Sequence, residues 1–120
     1  MTTKRTINLP MYNCKVYFVV TDNLKDEVNK LYRKNKLPPL FGEEAEGVMV
    51  SFNIDNYYVI IDNDCVSHNT LAHEVHHLIT RISEDRGIED EEAEAWLSGH
   101  LSEEIYKFLD KKKIVVNHGN

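Results

Sequence analysis

The stretch from Thr70 to Ile79, TLAHEVHHLI, holds the pattern His-Glu-x-x-His in a segment whose apolar spacing predicts a helix. The apolar residues that form one stripe of this helix are Leu71, Val75, Leu78, Ile79 and Ile82. His73 and His77 stand four positions apart, so a helix places them on one face with Cβ atoms about 5–6 Å apart. We expect both rings to lie beside the buried stripe, half-sheltered, where they can offer two nitrogens to one metal ion.

Glu74 lies next to this pair and is placed to take a proton from a water on the metal. His76 offers an alternative, since His73 and His76 stand three positions apart and could also share a metal. The pair of His73 and His77 is preferred, because only this pair leaves Glu74 in the role of general base.

The length and net charge of the chain indicate how many domains it forms and which binding partners are improbable. A chain of 120 residues supports one domain, which we expect to span residues 1–120. The net charge of −6 argues against a nucleic-acid-binding surface. No apolar run approaches the roughly 20 residues that span a bilayer, and no apolar segment follows the charged start of the chain. We therefore expect a cytoplasmic protein that does not bind membranes.

The two cysteines, Cys14 and Cys65, are too few for a disulfide framework. Cys14 is expected to be a small buried hydrophobic residue. Cys65 lies close before the motif and suggests a thiolate ligand, but a hydrolytic zinc needs an open fourth position, which disfavours this hypothesis.

Periodicity and turn residues predict an α+β domain in the order β-α-β-β-α-α. The predicted elements are a strand over 11–20, a helix that is capped by Thr21 or Asp22 and runs to about 35, strands over 48–54 and 57–61, the motif helix, and a helix from about 90 to 110. Asn69 or Thr70 is expected to cap the motif helix, and Gly87 to end it. Residues 36–47 form a connection, and a tail follows from 111. We expect a small antiparallel or mixed sheet with the helices on one side.

A hydrolytic zinc site needs a third protein ligand, with water in the fourth position. Extension of the motif to His-Glu-x-x-His-x-x-Gly-x-x-His is excluded, because Thr80 and Ser83 stand where the Gly and the third His would be. The last predicted helix offers carboxylates in its first turns instead. The candidates are Glu91, Glu92 and Glu94.

Two patterns in this helix favour different carboxylates. The large apolar residues that recur from Leu97 to Phe108 form a stripe that points back to Glu94. The small residues that recur from Ala95 to Ser102 share a face with Glu92, and small residues let two helix backbones approach closely. On this ground Glu92 is favoured, with Glu94 and then Glu91 as alternates.

Two motifs, HEVHH at 73–77 and EAEAWLSG at 92–99, together resemble those of compact gluzincin-type zinc metallopeptidases of phages and mobile elements. These are related to the ImmA/IrrE-type proteins, whose second motif reads Glu-x-x-Ala. The resemblance spans roughly residues 57–105. It implies a minimal zincin-like domain, Zn²⁺ as cofactor, Glu92 as third metal ligand and a protein or peptide as substrate.

The same residues predict a hydrolytic mechanism. Zinc held by His73, His77 and Glu92 would lower the pKa of its water to roughly 7. Glu74 would take that proton as the water attacks a peptide carbonyl, and pass it to the leaving amine. The tetrahedral intermediate needs one more hydrogen-bond donor. The sequence leaves three candidates open for this role: His68, His100 and Tyr106.

The substrate is expected to lie in an extended conformation beside the strand over 57–61. We expect this strand to be an edge strand whose free main-chain groups pair with the substrate. An alternative function is a zinc-binding regulatory or protein-interaction module without catalysis. Zinc binding without cleavage of any unfolded or peptide substrate distinguishes this alternative.

Overall fold

The computed structural model describes residues 1–39 and 45–117. The helices and strands are β1 (Thr2–Leu9), β2 (Cys14–Thr21), α1 (Leu24–Lys34), β3 (Gly47–Ser51), β4 (Asn56–Asp62), α2 (His68–Arg86) and α3 (Glu91–Lys111). Within this described part, none of the helices combines the length and the apolar content that a bilayer span requires.

The four strands form one mixed sheet in the order β1-β2-β4-β3. β1 runs antiparallel to β2, β2 parallel to β4, and β4 antiparallel to β3. The predicted α+β class is thereby confirmed. The expectation that residues 57–61 form an edge strand is wrong, because β4 has partners on both sides. The edge strand next to β4 is β3.

The strand β1 is an addition to the predicted order. In its sequence, TTKRTINL, only Ile7 and Leu9 are buried, so the segment carries little apolar alternation that would predict a strand. The strand predicted over 11–20 begins later, because Pro10–Tyr12 form a short 3-10 turn and Asn13 adopts a left-handed φ of 54°. The resulting hairpin of β1 and β2 forms the other edge of the sheet.

The helices cover both faces of the sheet, which corrects the expectation that they lie on one side. α2 and α3 pack on the face that carries Val16, Phe18 and Val20. α1 packs on the opposite face, against Val19 and Ile60. The physical reason is that the inner strands carry unbroken apolar runs, VYFVV in β2 and YYVII in β4, which need cover on both faces.

Helix α2 lies on the sheet through the predicted stripe. The buried apolar residues of this helix are Leu71, Val75, Leu78, Ile79 and Ile82. The helix begins after Ser67, whose Oγ accepts a hydrogen bond from the backbone N–H of Thr70 at 3.1 Å. The expected cap at Asn69 or Thr70 is therefore wrong, because both residues already lie in the first turn. Gly87 ends the helix as predicted, with a left-handed φ of 65°.

The predicted connection and tail are described only in part. Residues 40–44, within the connection predicted over 36–47, and residues 118–120 lie outside the described part of the chain. In the tail, Ile114 and Val116 pack against the main core. The backbone N–H of Asn117 donates to the carbonyl of Val66 at 2.7 Å, so the tail also braces the segment that leads into α2.

The C-terminal end of α2 is fixed to the sheet by a partly buried hydrogen-bond network. The hydroxyl of Tyr57, a residue that is 0% exposed, donates to Asp85 at 2.6 Å and accepts from Arg86 at 2.7 Å. Arg86 also donates to the carbonyls of Tyr12, at 2.6 Å, and of Ile54. One guanidinium thus joins α2 to β4 and to two turns of the sheet.

We expect Tyr57→Phe to lower the free energy of unfolding by about 1–3 kcal/mol, because Asp85 and Arg86 lose a buried partner. Burial, reinforced by the hydrogen bond to Asp85, raises the pKa of Tyr57 to about 12, so its hydroxyl stays protonated and able to donate. Urea denaturation measures the change. In the control, Tyr58→Phe, the ring lies on the opposite face and stacks on Tyr17 at 5.0 Å. An equal loss in both variants contradicts the role of the network.

Candidate metal centre

His73 and His77 lie together on α2 with their ring nitrogens facing each other. Their Nε2 atoms are 3.0 Å apart, and the ring planes meet at 84°. Two nitrogens bound to one tetrahedral zinc at the usual bond lengths lie about 3.3 Å apart. The pair therefore fits the first two positions of a zinc site with only a small adjustment. His76 is exposed on the same helix, and its pairing with His73 stays the alternative.

Glu74 lies on the inner side of this pair. The residue is 6% exposed, and its Oε2 is 3.9 Å from Nε2 of His73. Burial raises the pKa of the Glu74 carboxyl, and the nearby imidazoles of His73 and His77 partly oppose this shift. A carboxylate that has lost water is a stronger base, so the position suits proton transfer.

A cleft opens beside these residues, between the first turns of α2 and the start of β3. Its volume is about 320 Å³. The residues that line it are Glu46, Gly47, Asn69, Thr70, His73 and Glu74. The side chain of His73 is 64% exposed, so the pair lies further out than the half-sheltered position that the sequence suggested. The cleft gives solvent and small ligands direct access to it.

Gly47 determines how closely β3 approaches α2. A Cβ atom at this position would lie 2.6 Å from Cδ1 of Ile61 and 3.3 Å from Cγ of Glu74. A side chain at this position would therefore crowd Ile61 and Glu74, so the glycine favours the close approach of the edge strand to α2. Sequence reasoning missed Gly47 and Glu46, which it assigned to the connection. A glycine at the start of an alternating apolar segment is the signal that indicates such a close backbone approach.

The predicted third ligand, Glu92, is not brought together with the two histidines. Ser83 donates to Glu94 at 3.3 Å, and Ser83 lies about 9 Å beyond His77 along the axis of α2. Glu92 is exposed and belongs to the same first turns of α3. Across residues 1–39 and 45–117, no three His, Cys, Asp or Glu side chains form a group that could hold a metal.

The two patterns that were weighed for the third ligand have different outcomes. The large apolar stripe of α3 is buried as predicted, with Leu97 and Phe108 in the core. The stripe of small residues does not lie at a close helix crossing. Ala95 is exposed, and a Cβ at Gly99 would meet nothing within 4 Å. The ground for preferring Glu92 on packing is therefore wrong, and its role as a ligand stays a prediction from the Glu-x-x-Ala motif.

The three candidates for an additional hydrogen-bond donor lie on the other flank of α2, towards α3. Nδ1 of His68 is 2.6 Å from the hydroxyl of Tyr106. His100 stacks on Trp96 with ring centroids 4.9 Å apart. None of these candidates lines the cleft beside His73. Asn69, which sequence reasoning considered only as a cap, lines it instead and carries an amide donor.

Cys65 lies in the short 3-10 turn that precedes α2 and is partly buried. Burial raises the pKa of its thiol, and the negative charges of Asp62 and Glu46 reinforce the shift. Among the described residues, Cys65 belongs to no group of three potential ligands that could hold a metal.

His73 and Glu74 therefore line one cleft, with Nε2 of His77 3.0 Å from that of His73, while Glu91, Glu92 and Glu94 lie at the start of α3. Comparisons with protein-family models, with curated proteins and with solved structures found no match for this chain. The chemistry of the cleft is accordingly the basis for assigning a function.

We expect Gly47→Ala to lower the free energy of unfolding by about 1–3 kcal/mol, because the added methyl group overlaps Ile61 and presses on Glu74. Thermal or urea denaturation measures this change. Gly99→Ala is the matched control, since it adds the same methyl group into open space within a helix. This control is expected to stabilise the chain by about 0.5–1 kcal/mol. Two variants of equal stability contradict the close approach at Gly47.

Proposed function

We propose that this chain is a zinc-dependent metallopeptidase in which His73 and His77 bind the metal and Glu74 acts as general base. The observation that carries the proposal is the distance of 3.0 Å between the two Nε2 atoms, together with a buried carboxylate beside them. The His-Glu-x-x-His motif supports it, because the helical spacing that the motif requires is present in α2.

Zinc bound at this pair would supply a Lewis acid and a more acidic water than bulk solvent. Glu74 accepts a proton from the attacking water and then donates it to the nitrogen of the leaving amine. Its burial supports this role, since desolvation favours the protonated form that the carboxyl adopts between the two transfers. Asn69, at the rim of the same cleft, is in a position to hydrogen-bond a substrate carbonyl.

Two imidazoles leave the coordination of zinc incomplete. Glu92 remains the proposed third ligand because of its place in the Glu-x-x-Ala motif, with Glu94 and Glu91 as alternates. Glu94 accepts a hydrogen bond from Ser83, which lies further along α2 than His77. This proposal therefore requires the first turn of α3 to move towards His77 when metal binds.

The edge strand β3 is the proposed docking edge for a protein or peptide substrate. β3 pairs with β4 on one side, and among the described strands it has no partner on the other. It begins at Gly47, which lines the same cleft as Glu74. An extended segment that pairs with this free edge would run past His73 and His77.

The second candidate function is a zinc-binding regulatory or protein-interaction module without catalysis. The observation that favours it is that, within the described residues, no third ligand joins the two exposed histidines. A site with two protein ligands can be completed by a side chain of a partner protein. Such a module would bind zinc and cleave nothing.

We expect the purified chain to bind about one zinc ion, and His73→Ala or His77→Ala to abolish this binding, because each removes half of the pair. Glu74→Gln is expected to keep the zinc and lose cleavage of an unfolded protein substrate. Elemental analysis of the dialysed protein and a protease assay measure the two properties.

His76→Ala is the matched control for these variants, since it removes an exposed imidazole from the same helix and leaves the pair intact. It is expected to retain both zinc and activity. Full zinc content in a His73→Ala/His77→Ala double variant contradicts the proposed function. Zinc binding without cleavage of any substrate supports the regulatory module instead.

A further inference from the structure

Glu46 is a feature of the cleft that the proposed reaction does not use. It directly precedes β3, and its carbonyl accepts a hydrogen bond from the backbone N–H of Asp62 at 2.9 Å, which fixes its backbone to β4. Its side chain is exposed and lines the same cleft as His73 and Glu74. A substrate that reaches His73 and His77 along β3 therefore passes the carboxylate of Glu46.

The carboxylate of Glu46 is oriented by a chain of buried hydroxyl groups. The hydroxyl of Ser67 donates to Oγ1 of Thr70 at 3.0 Å, and that of Thr70 donates to Oε2 of Glu46 at 2.9 Å. Ser67 is 1% exposed and Thr70 is 4% exposed, so both hydroxyls are held in place. Among the described residues, the second oxygen, Oε1, accepts no hydrogen bond, so it can face a ligand in the cleft.

The cleft carries two carboxylates that pair with no Lys or Arg of the described part of the chain. Two of its six lining residues, Glu46 and Glu74, are carboxylates, and none is Lys or Arg. Within residues 1–39 and 45–117, no Lys or Arg nitrogen lies within 4.0 Å of either carboxylate. Glu74 is 6% exposed, makes no hydrogen bond to a described residue and faces the cleft. A cationic side chain that enters here gains an oriented acceptor at Glu46 and meets no competing Lys or Arg side chain of the described residues.

We propose that Glu46 is a specificity-determining residue that binds a Lys or Arg side chain of an extended substrate lying along β3. The proposal rests on the proposed function, because it names the class of substrate for the same cleft. Glu46 selects the substrate by charge, while His73, His77 and Glu74 carry out the cleavage.

The test uses the full chain and matched synthetic peptides in which one Lys, or its neutral analogue norleucine, is moved along an otherwise uncharged sequence. Binding to the metal-free chain is followed by the NMR shifts of the Gly47 and Thr70 amides. We expect the best-placed Lys peptide to bind about 5- to 10-fold more tightly than its norleucine partner. Cleavage of the same peptides by the zinc-loaded chain should show the same preference.

Glu46→Gln keeps an oxygen acceptor for Thr70 and removes the charge, so we expect the Lys preference to disappear in this variant. Glu103→Gln is the matched control, since it removes one charge from a side chain that is 62% exposed on α3. It should keep the full preference. Equal binding of the Lys and norleucine peptides to the unmodified chain overturns the proposal, as does a Lys preference that survives in Glu46→Gln.

Loss of zinc affinity in Glu46→Gln, without a change in peptide preference, also overturns the proposal, because it makes Glu46 a metal ligand. The outcome that separates the two proposals is a Lys preference in binding that depends on Glu46, with no cleavage by the zinc-loaded chain. That result supports the role of Glu46 and contradicts the peptidase.

Discussion

The packing of helix α2 against the sheet sets the geometry on which the candidate site depends. At its C-terminal end, Arg86 holds the buried hydroxyl of Tyr57 and two backbone carbonyls. Nearer its start, β3 approaches closely because Gly47 has no side chain. Contacts at both ends fix the rotation of the helix about its axis. Glu74 is consequently buried while His73 and His77 are exposed, which is the arrangement that the proposed base and metal ligands need.

Neighbouring residues of α2 differ in exposure, and this difference suits them to different chemical roles in the cleft. His73 is open to solvent, so a metal ion can reach it without a change in the fold. Glu74 is buried, and its carboxylate is held in an environment that disfavours its charge. A cation near the two imidazoles would stabilise that charge. Such a cation would offset part of the free-energy cost of burying Glu74.

The sequence predicted what depends on local spacing and failed where distant segments meet. The pairing of His73 with His77 follows from helical periodicity alone, and so does the buried stripe of α3. Glu46 and Gly47 enter the cleft only through the register of β3 on β4, in which Gly47 lies opposite Ile61. No local pattern encodes that register. Which carboxylate could serve as the proposed third ligand depends on how α3 crosses α2. The open space at Gly99 shows that small residues alone do not locate that crossing.

A crystal structure of the chain grown with zinc tests the central claim most directly. We expect one zinc ion bound to Nε2 of both His73 and His77, with the Glu74 carboxylate beside it and outside its coordination shell. The same structure shows whether Glu92 completes the coordination. Zinc bound elsewhere, or histidine rings that turn away from each other in its presence, would contradict the assignment of this helix as a metal centre.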